Sequence, residues 1–143
     1  MAKMIFVNLP VTDLPRTKAF YEAIGFTNNP NFTDDTAACM VLTDVIHVML
    51  LTHDKFMHFS PRKIGDAKTT CQVLLCISAD SRADVDTMIE KAKTAGGAID
   101  VMPTDEYDFM YGRNFEDLDG HLWAPMWMDP AAAASGPPAT SQS

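Results

Sequence analysis

Four histidines, one acidic run and one basic–aromatic alternation are the residues of this chain best suited to chemistry. His47, His53, His58 and His121 could bind a metal or move a proton, because imidazole changes charge near neutral pH. Their spacing argues against a zinc site, since no pair stands as His-x-x-x-His or His-Glu-x-x-His. His53 and His58 fall in a polar stretch and are read as solvated; a ligand shared between them is the other reading. His47 sits inside an apolar run and is expected to be a hydrogen-bonded core imidazole. His121 falls in a turn and is expected to point outward. Glu116, Asp117 and Asp119 could act as a base or hold a cation. The preferred reading is a solvated turn whose Asp side chains bond the backbone.

Tyr107, Phe109, Tyr111 and Arg113 alternate as side chains on one face of a strand would. An arginine beside a tyrosine suits an anionic or aromatic ligand. A cross-strand pair on a solvated face explains it equally well. Cys39, Cys71 and Cys76 are odd in number, contain no Cys-x-x-Cys pair and lie inside apolar runs. They are read as buried, reduced thiols of a cytoplasmic protein. Ten methionines read as core filler, although Met57, Met110 and Met126 would give a cleft an adaptable lining.

These residues need elements to position them. The chain has 143 residues, enough for one domain or for two small modules sharing a core. A hydrophobic fraction of 47% is ordinary for a globular protein. The net charge of −8 argues against a nucleic-acid partner, which would need a basic stripe. It also gives no attraction to an anionic membrane. No apolar run reaches the roughly 18–20 residues that span a bilayer. The N-terminus enters a strand-like run directly, without the pattern of a signal peptide.

Along the chain, residues 4–11 alternate as a strand. A helix capped by Thr12 or Asp13 runs to about Ile24, with Pro15 in its first turn and Gly25 at its end. Three strands follow, over 26–33, 37–42 and 45–51, the first interrupted by Pro30. Residues 53–68 break the pattern and read as a mobile connector with one helical turn. The order then restarts: a strand at 70–78, a helix capped by Ser81 or Asp80 and running to about Ala95, and strands at 98–102, 106–116 and 121–128. Leu118-Asp119-Gly120-His121 makes the last tight turn. The divisions expected are therefore a first module at 1–53, a connector at 54–68, a second module at 69–129 and a tail at 130–143. The tail lacks large apolar residues and is expected to be disordered. Each module is strand, helix, three strands. Neither can bury both faces alone, so the two must pair around a cleft.

This plan resembles the vicinal oxygen chelate superfamily, which includes glyoxalase I, bleomycin-resistance proteins, fosfomycin-resistance thiol transferases and extradiol dioxygenases. The residues that carry the likeness are Val11-x-Asp13-Leu14-x-x-x-Lys18-x-Phe20-Tyr21-x-x-x-Gly25-Phe26 and Phe115-x-Asp117-Leu118-Asp119-Gly120-His121. The resemblance covers about residues 4–128. It implies an α+β fold of two βαβββ modules that form a curved, cup-shaped mixed sheet with the helices outside, and a homodimer.

Metal-dependent members of that superfamily hold one divalent cation with His, Gln and Glu side chains from four strands. What the resemblance implies for these positions departs from that pattern. The first falls on Phe6, the last on Ala124, and another near Leu50; none has a donor atom. Gln72 is the one usable oxygen donor on the cleft face of the fifth strand, beside Leu74 and Cys76. No cofactor is expected, and a divalent metal belongs to a second reading. The first reading is a small-molecule binding protein without the family's metal site, its ligand met by Phe6, Asn8, Gln72, Tyr111 and Arg113. An acidic surface would suit a cationic drug. The second reading is a metal-dependent glyoxalase-like lyase, isomerase or thiol transferase. A third is a purely structural protein whose cleft is filled by side chains.

Overall fold

The computed structural model describes residues 2–136. The first module is β1 (Ile5–Val11), α1 (Leu14–Ala23), β2 (Thr27–Asn29), β3 (Ala37–Val41) and β4 (Ile46–Thr52), with a single 3₁₀ turn at Pro30–Phe32. Asp13 starts α1: its carboxylate accepts from the Arg16 N–H, and Pro15 needs no partner in the first turn. Gly25, at φ +116°, reverses the chain after it. The sheet order is β1-β4-β3-β2. β1 and β4 run parallel with Phe6 opposite His47 and Asn8 opposite Met49. The other pairs are antiparallel.

The second module contains β5 (Leu74–Ser78), α3 (Arg82–Thr94), β6 (Ala98–Ile99), β7 (Asp105–Tyr107), β8 (Met110–Gly112), β9 (Phe115–Glu116) and β10 (Leu122–Met128). β10 is its spine, parallel to β5 and antiparallel to β8 and β9. The single strand expected over 106–116 is instead three pieces. β7 folds back on β8 because Phe109 is drawn into the interior (8% exposed) while Asp105 and Glu106 stay in water. Asn114 makes the second break. Its side-chain amide donates to the Met102 carbonyl and its carbonyl oxygen accepts from the Met102 N–H. A side chain thus takes over one rung of the ladder between β6 and β9.

The connector is more ordered than its composition suggests. It opens with α2 (His53–Phe59), capped by Thr52, whose hydroxyl accepts from the Lys55 N–H. The tail expected to be disordered begins as α4 (Pro130–Ser135). Asp129 caps it, Pro130 opens it and four alanines follow, the residues that favour helix most. Residues 137–143 lie outside the described residues.

One core serves both modules. Leu9, Val11, Val48 and Leu50 from the first sheet meet Phe20 and Tyr21 of α1, Ile89 of α3, and Phe115 and Trp123 of the second sheet. The expected α+β cup therefore has one interior, with the helices on the outer faces. The cysteines divide. Cys39 is buried, but Cys71 and Cys76 are exposed, contrary to expectation. Cys71 precedes β5, and Cys76 lies on the face of β5 opposite Leu75 and Ile77, which join the core. Val73 stands ahead of the strand and is 62% exposed. Among the described residues no helix is long and apolar enough to cross a membrane.

Candidate functional site

The residues of the two sequence motifs turn out to tie the modules together. Tyr21 is fully buried, and its hydroxyl donates to Asp117 Oδ2 at 2.6 Å. The Trp123 indole N–H donates to the same hydroxyl at 2.9 Å. Asp117 Oδ1 accepts from the backbone N–H groups of Asp119 and His121. Asp117 is thus not a solvated turn residue but a buried one, 1% exposed. Burial pushes its carboxyl above the usual carboxylate range, and burial with the nearby Asp117 charge pushes the Tyr21 phenol well above its own. Asp119 reaches back to Thr12, accepting from its N–H and its hydroxyl. His121 does not point outward: its Nε2 lies 2.8 Å from the Pro10 carbonyl oxygen. These bonds set the end of β1 against the start of β10.

The proposed ligand-binding residues separate into three groups: Phe6 with Asn8, Gln72 by itself in the cleft described below, and Tyr111 with Arg113. Phe6 and Asn8 share the face of β1 turned away from α1, and the Asn8 amide donates to the Phe6 carbonyl. Phe6 stacks on His47, ring centroids 4.5 Å apart. His47 is buried, but its Nδ1 has no hydrogen-bond partner, so it is not the satisfied core imidazole expected. Gln72 lies just before β5. Tyr111 and Arg113 lie elsewhere, on the α3 side of the second sheet. The Tyr111 hydroxyl donates to Asp86 at 2.6 Å, and Arg113 pairs with Asp86 at 2.9 Å and Asp100 at 2.7 Å. Hydrogen bonds from Tyr111 and Arg113 hold the Asp86 carboxyl below its usual range, and the Asp100 and Asp86 bonds raise Arg113 further. The strand breaks on either side of β8 interrupt the alternation, so Tyr107, Phe109, Tyr111 and Arg113 do not stand on one face of a single strand.

A cleft of about 670 Å³ opens between the end of β1, the connector and the turn before β10. Leu9 and Pro10 form one wall, Gln72, Val73 and Leu75 another, and Gly120 to Leu122 the end. Phe56 and the stretch from Ser60 to Thr70 cover it. The connector is held there by close contact. Gly120 has φ +98°, and a Cβ on it would come within 2.9 Å of the Ala67 carbonyl carbon and the Lys68 nitrogen. Arg62, Lys63 and Ile64 in this wall were passed over in the sequence, where the stretch read only as a connector. Two adjacent cations beside apolar residues in an acidic chain were the available signal. A second hollow, of about 570 Å³, lies between Ala23 of α1 and the outer side of α3.

The family profile of the Glyoxalase/Bleomycin resistance protein/Dioxygenase superfamily matches residues 3–124. The chain belongs to this superfamily. Compared by sequence with curated proteins, it has no significant match. Solved structures share its fold. A hypothetical protein, SA1046 from S. aureus, is 27% identical with a TM-score of 0.73, covering 89% of this chain and 94% of that one. A glyoxalase/bleomycin resistance protein/dioxygenase family enzyme from Burkholderia phytofirmans PsJN is 17% identical, TM-score 0.72, covering 89% and 99%. The fosfomycin resistance protein FosX from Mesorhizobium loti is 16% identical, TM-score 0.62, covering 94% and 96%.

Membership in the glyoxalase superfamily raises the question of a metal. Phe6 and Ala124, at two of the positions the resemblance gives to ligands, carry no donor. Leu50 is fully buried in the core and faces the helices. The β4 residues on the opposite face are His47, Met49 and Leu51. Among the described residues, no three His, Cys, Asp or Glu side chains are grouped to hold a metal ion.

Proposed function

We propose that this member of the glyoxalase/bleomycin-resistance superfamily binds a small organic molecule in the cleft without the family's metal. The observation that carries the proposal is a cleft of about 670 Å³, within the size range of small-molecule sites, in a chain whose strand positions for the family's metal include Phe6 and Ala124. Of the ligand-binding candidates Gln72 lines this cleft, whereas Phe6 and Asn8 stand outside its lining. Tyr111 and Arg113 would act only by holding α3 against the sheet. A homodimer is part of the proposal. Ile5, Phe6, Val73 and Leu74 are 46–62% exposed along β1 and the start of β5, each of which has one sheet neighbour. Apolar edges of this kind favour a partner strand. Two exposed free thiols support a reducing, cytoplasmic location. The net charge of −8 speaks against nucleic acid and anionic membranes as partners.

One observation favours the alternative, a metal-dependent glyoxalase-like lyase, isomerase or thiol transferase. The unpartnered Nδ1 of His47 is a free donor on the face away from α1, and donors from a second subunit could join it. Metal analysis of the purified protein, with thermal melting across Ni²⁺, Zn²⁺, Mn²⁺ and Fe²⁺, separates the two. Specific binding to the folded state must raise the melting temperature. Absence of both bound metal and a shift is expected. Stoichiometric metal with a clear shift overturns the metal-free reading.

A further inference from the structure

The cleft has the opposite charge from the chain. Acidic residues outnumber basic ones 19 to 11, yet the cleft wall carries Arg62 and Lys63 and no carboxylate. Neither cation is within ion-pair distance of a carboxylate among the described residues, whereas Lys68 nearby stands 3.5 Å from Glu116. Their backbone is held in place. The Ser60 hydroxyl donates to the Arg62 carbonyl at 2.7 Å and accepts from the Arg62 N–H at 3.1 Å. Asp66 ties the next turn, accepting from the Lys68 N–H and, through its carbonyl, from the Thr70 hydroxyl. The same lining offers apolar surface from Leu9, Phe56, Ile64 and Leu75 alongside the polar Thr70 and Gln72.

We propose that the ligand of this cleft is an organic anion: an apolar body carrying a carboxylate, sulfonate or phosphonate group. The apolar body would displace water from the floor, and the acid group would meet Arg62 and Lys63 through charge-assisted hydrogen bonds. The inference rests on the reading of the cleft as the ligand site. It reverses the expectation of a cationic ligand, because two unpaired cations in the cleft wall outweigh a distant negative surface that salt screens.

Two fluorescent probes test it. Anilinonaphthalenesulfonate and N-phenylnaphthylamine share one ring system and differ by the sulfonate. The sulfonate dye should bind about tenfold or more tightly than the neutral one, or about 1.4 kcal/mol. The double variant Arg62→Gln/Lys63→Gln, at two exposed positions, should bring the sulfonate dye down to the affinity of the neutral dye and leave the neutral dye unchanged. Added salt should weaken only the sulfonate dye. Ile64→Trp or Cys71→Trp, either of which fills the cleft, should weaken both. Equal binding of the two dyes, or a double variant without effect, overturns the charge assignment and leaves the cleft as a binding site. Failure of both dyes to bind, or binding that the cleft-filling variants do not change, overturns the cleft reading and this inference with it.

Discussion

Tyr21→Phe removes one oxygen and is expected to weaken the joint between the modules. The hydroxyl has two jobs: it donates to Asp117 at 2.6 Å and accepts from the Trp123 indole at 2.9 Å. Its loss leaves a buried carboxylate oxygen and a buried indole N–H without those partners, since Asp117 and Trp123 are 1% and 2% exposed. A hydrogen bond to a charged group contributes about 1.5–3 kcal/mol, and an orphaned neutral donor costs about 1–3 kcal/mol. Allowing for relaxation and non-additivity, the variant should lose about 2–4 kcal/mol. That is a large share of the 5–15 kcal/mol typical of a domain. Urea unfolding measures it. With a slope of about 2 kcal/mol per molar, the midpoint should fall by about 1–2 M. Combining Tyr21→Phe with Asp117→Asn should show a coupling above about 1 kcal/mol. A loss below about 0.5 kcal/mol, or additive single variants, would refute the claim that these three side chains act as one joint.

Three further outcomes are expected. The Asp117 carboxyl is raised above 3.8 by burial, so the folded chain keeps this proton longer than the unfolded chain does. Its contribution is therefore most favourable below pH 3.8 and declines as pH rises through the folded value. Unfolding free energies of wild type minus Asp117→Asn should fall over that window, and a rise would mean that its three hydrogen bonds outweigh its burial. Gly120→Ala places a Cβ 2.7 Å from Lys68 Cγ and 2.9 Å from connector backbone at φ +98°. It should cost about 2–3 kcal/mol and speed proteolysis within residues 60–73; an unchanged midpoint and cleavage rate would show that the connector is not seated on this turn. Phe6→Ala removes the ring stacked on His47. Diethyl pyrocarbonate, mapped by mass spectrometry, should then modify His47 faster, and an unchanged rate would show that other groups shield it.

The fold was legible because its determinants are local. Asp13, Pro15 and Gly25 mark the ends of α1 in the sequence itself, and Ser81 marks the start of α3. The breaks around β8 were not legible, because they depend on long-range events. Phe109 is buried and its carbonyl accepts from the Asp129 N–H, and Asn114 reaches Met102 across the sheet. An alternating run such as Tyr107 to Arg113 reads as one strand until those partners are known. His121 and Asp117 were misplaced for the same reason, since their partners Pro10 and Tyr21 lie more than 90 positions away. The α4 helix was overlooked for a different reason: alanine has the highest helix propensity, but a run of it after Asp129-Pro130 was read only as low complexity.

The motif residues also explain why family membership leaves the ligand open. Phe20, Tyr21, Asp117 and Gly120 carry the likeness, and each works in packing: Phe20 on Phe115, Tyr21 on Asp117 and Trp123, Gly120 under the connector. Any member that joins two such modules has use for them, whatever it binds. The residues that could discriminate among ligands in the cleft lie in the connector around Arg62 and Lys63. That connector has the weakest pattern in the chain, and no strand periodicity constrains what stands there. Its place is fixed at one end by Thr52 capping α2 and at the other by the close fit of Ala67 and Lys68 on Gly120. Between those anchors the side chains can change without disturbing the joint. Substitutions at Arg62 and Lys63 should therefore alter ligand affinity with little effect on the urea midpoint, whereas substitutions at Tyr21 should do the reverse. A shared effect of both sets on affinity and stability would mean that the site and the joint are not separate.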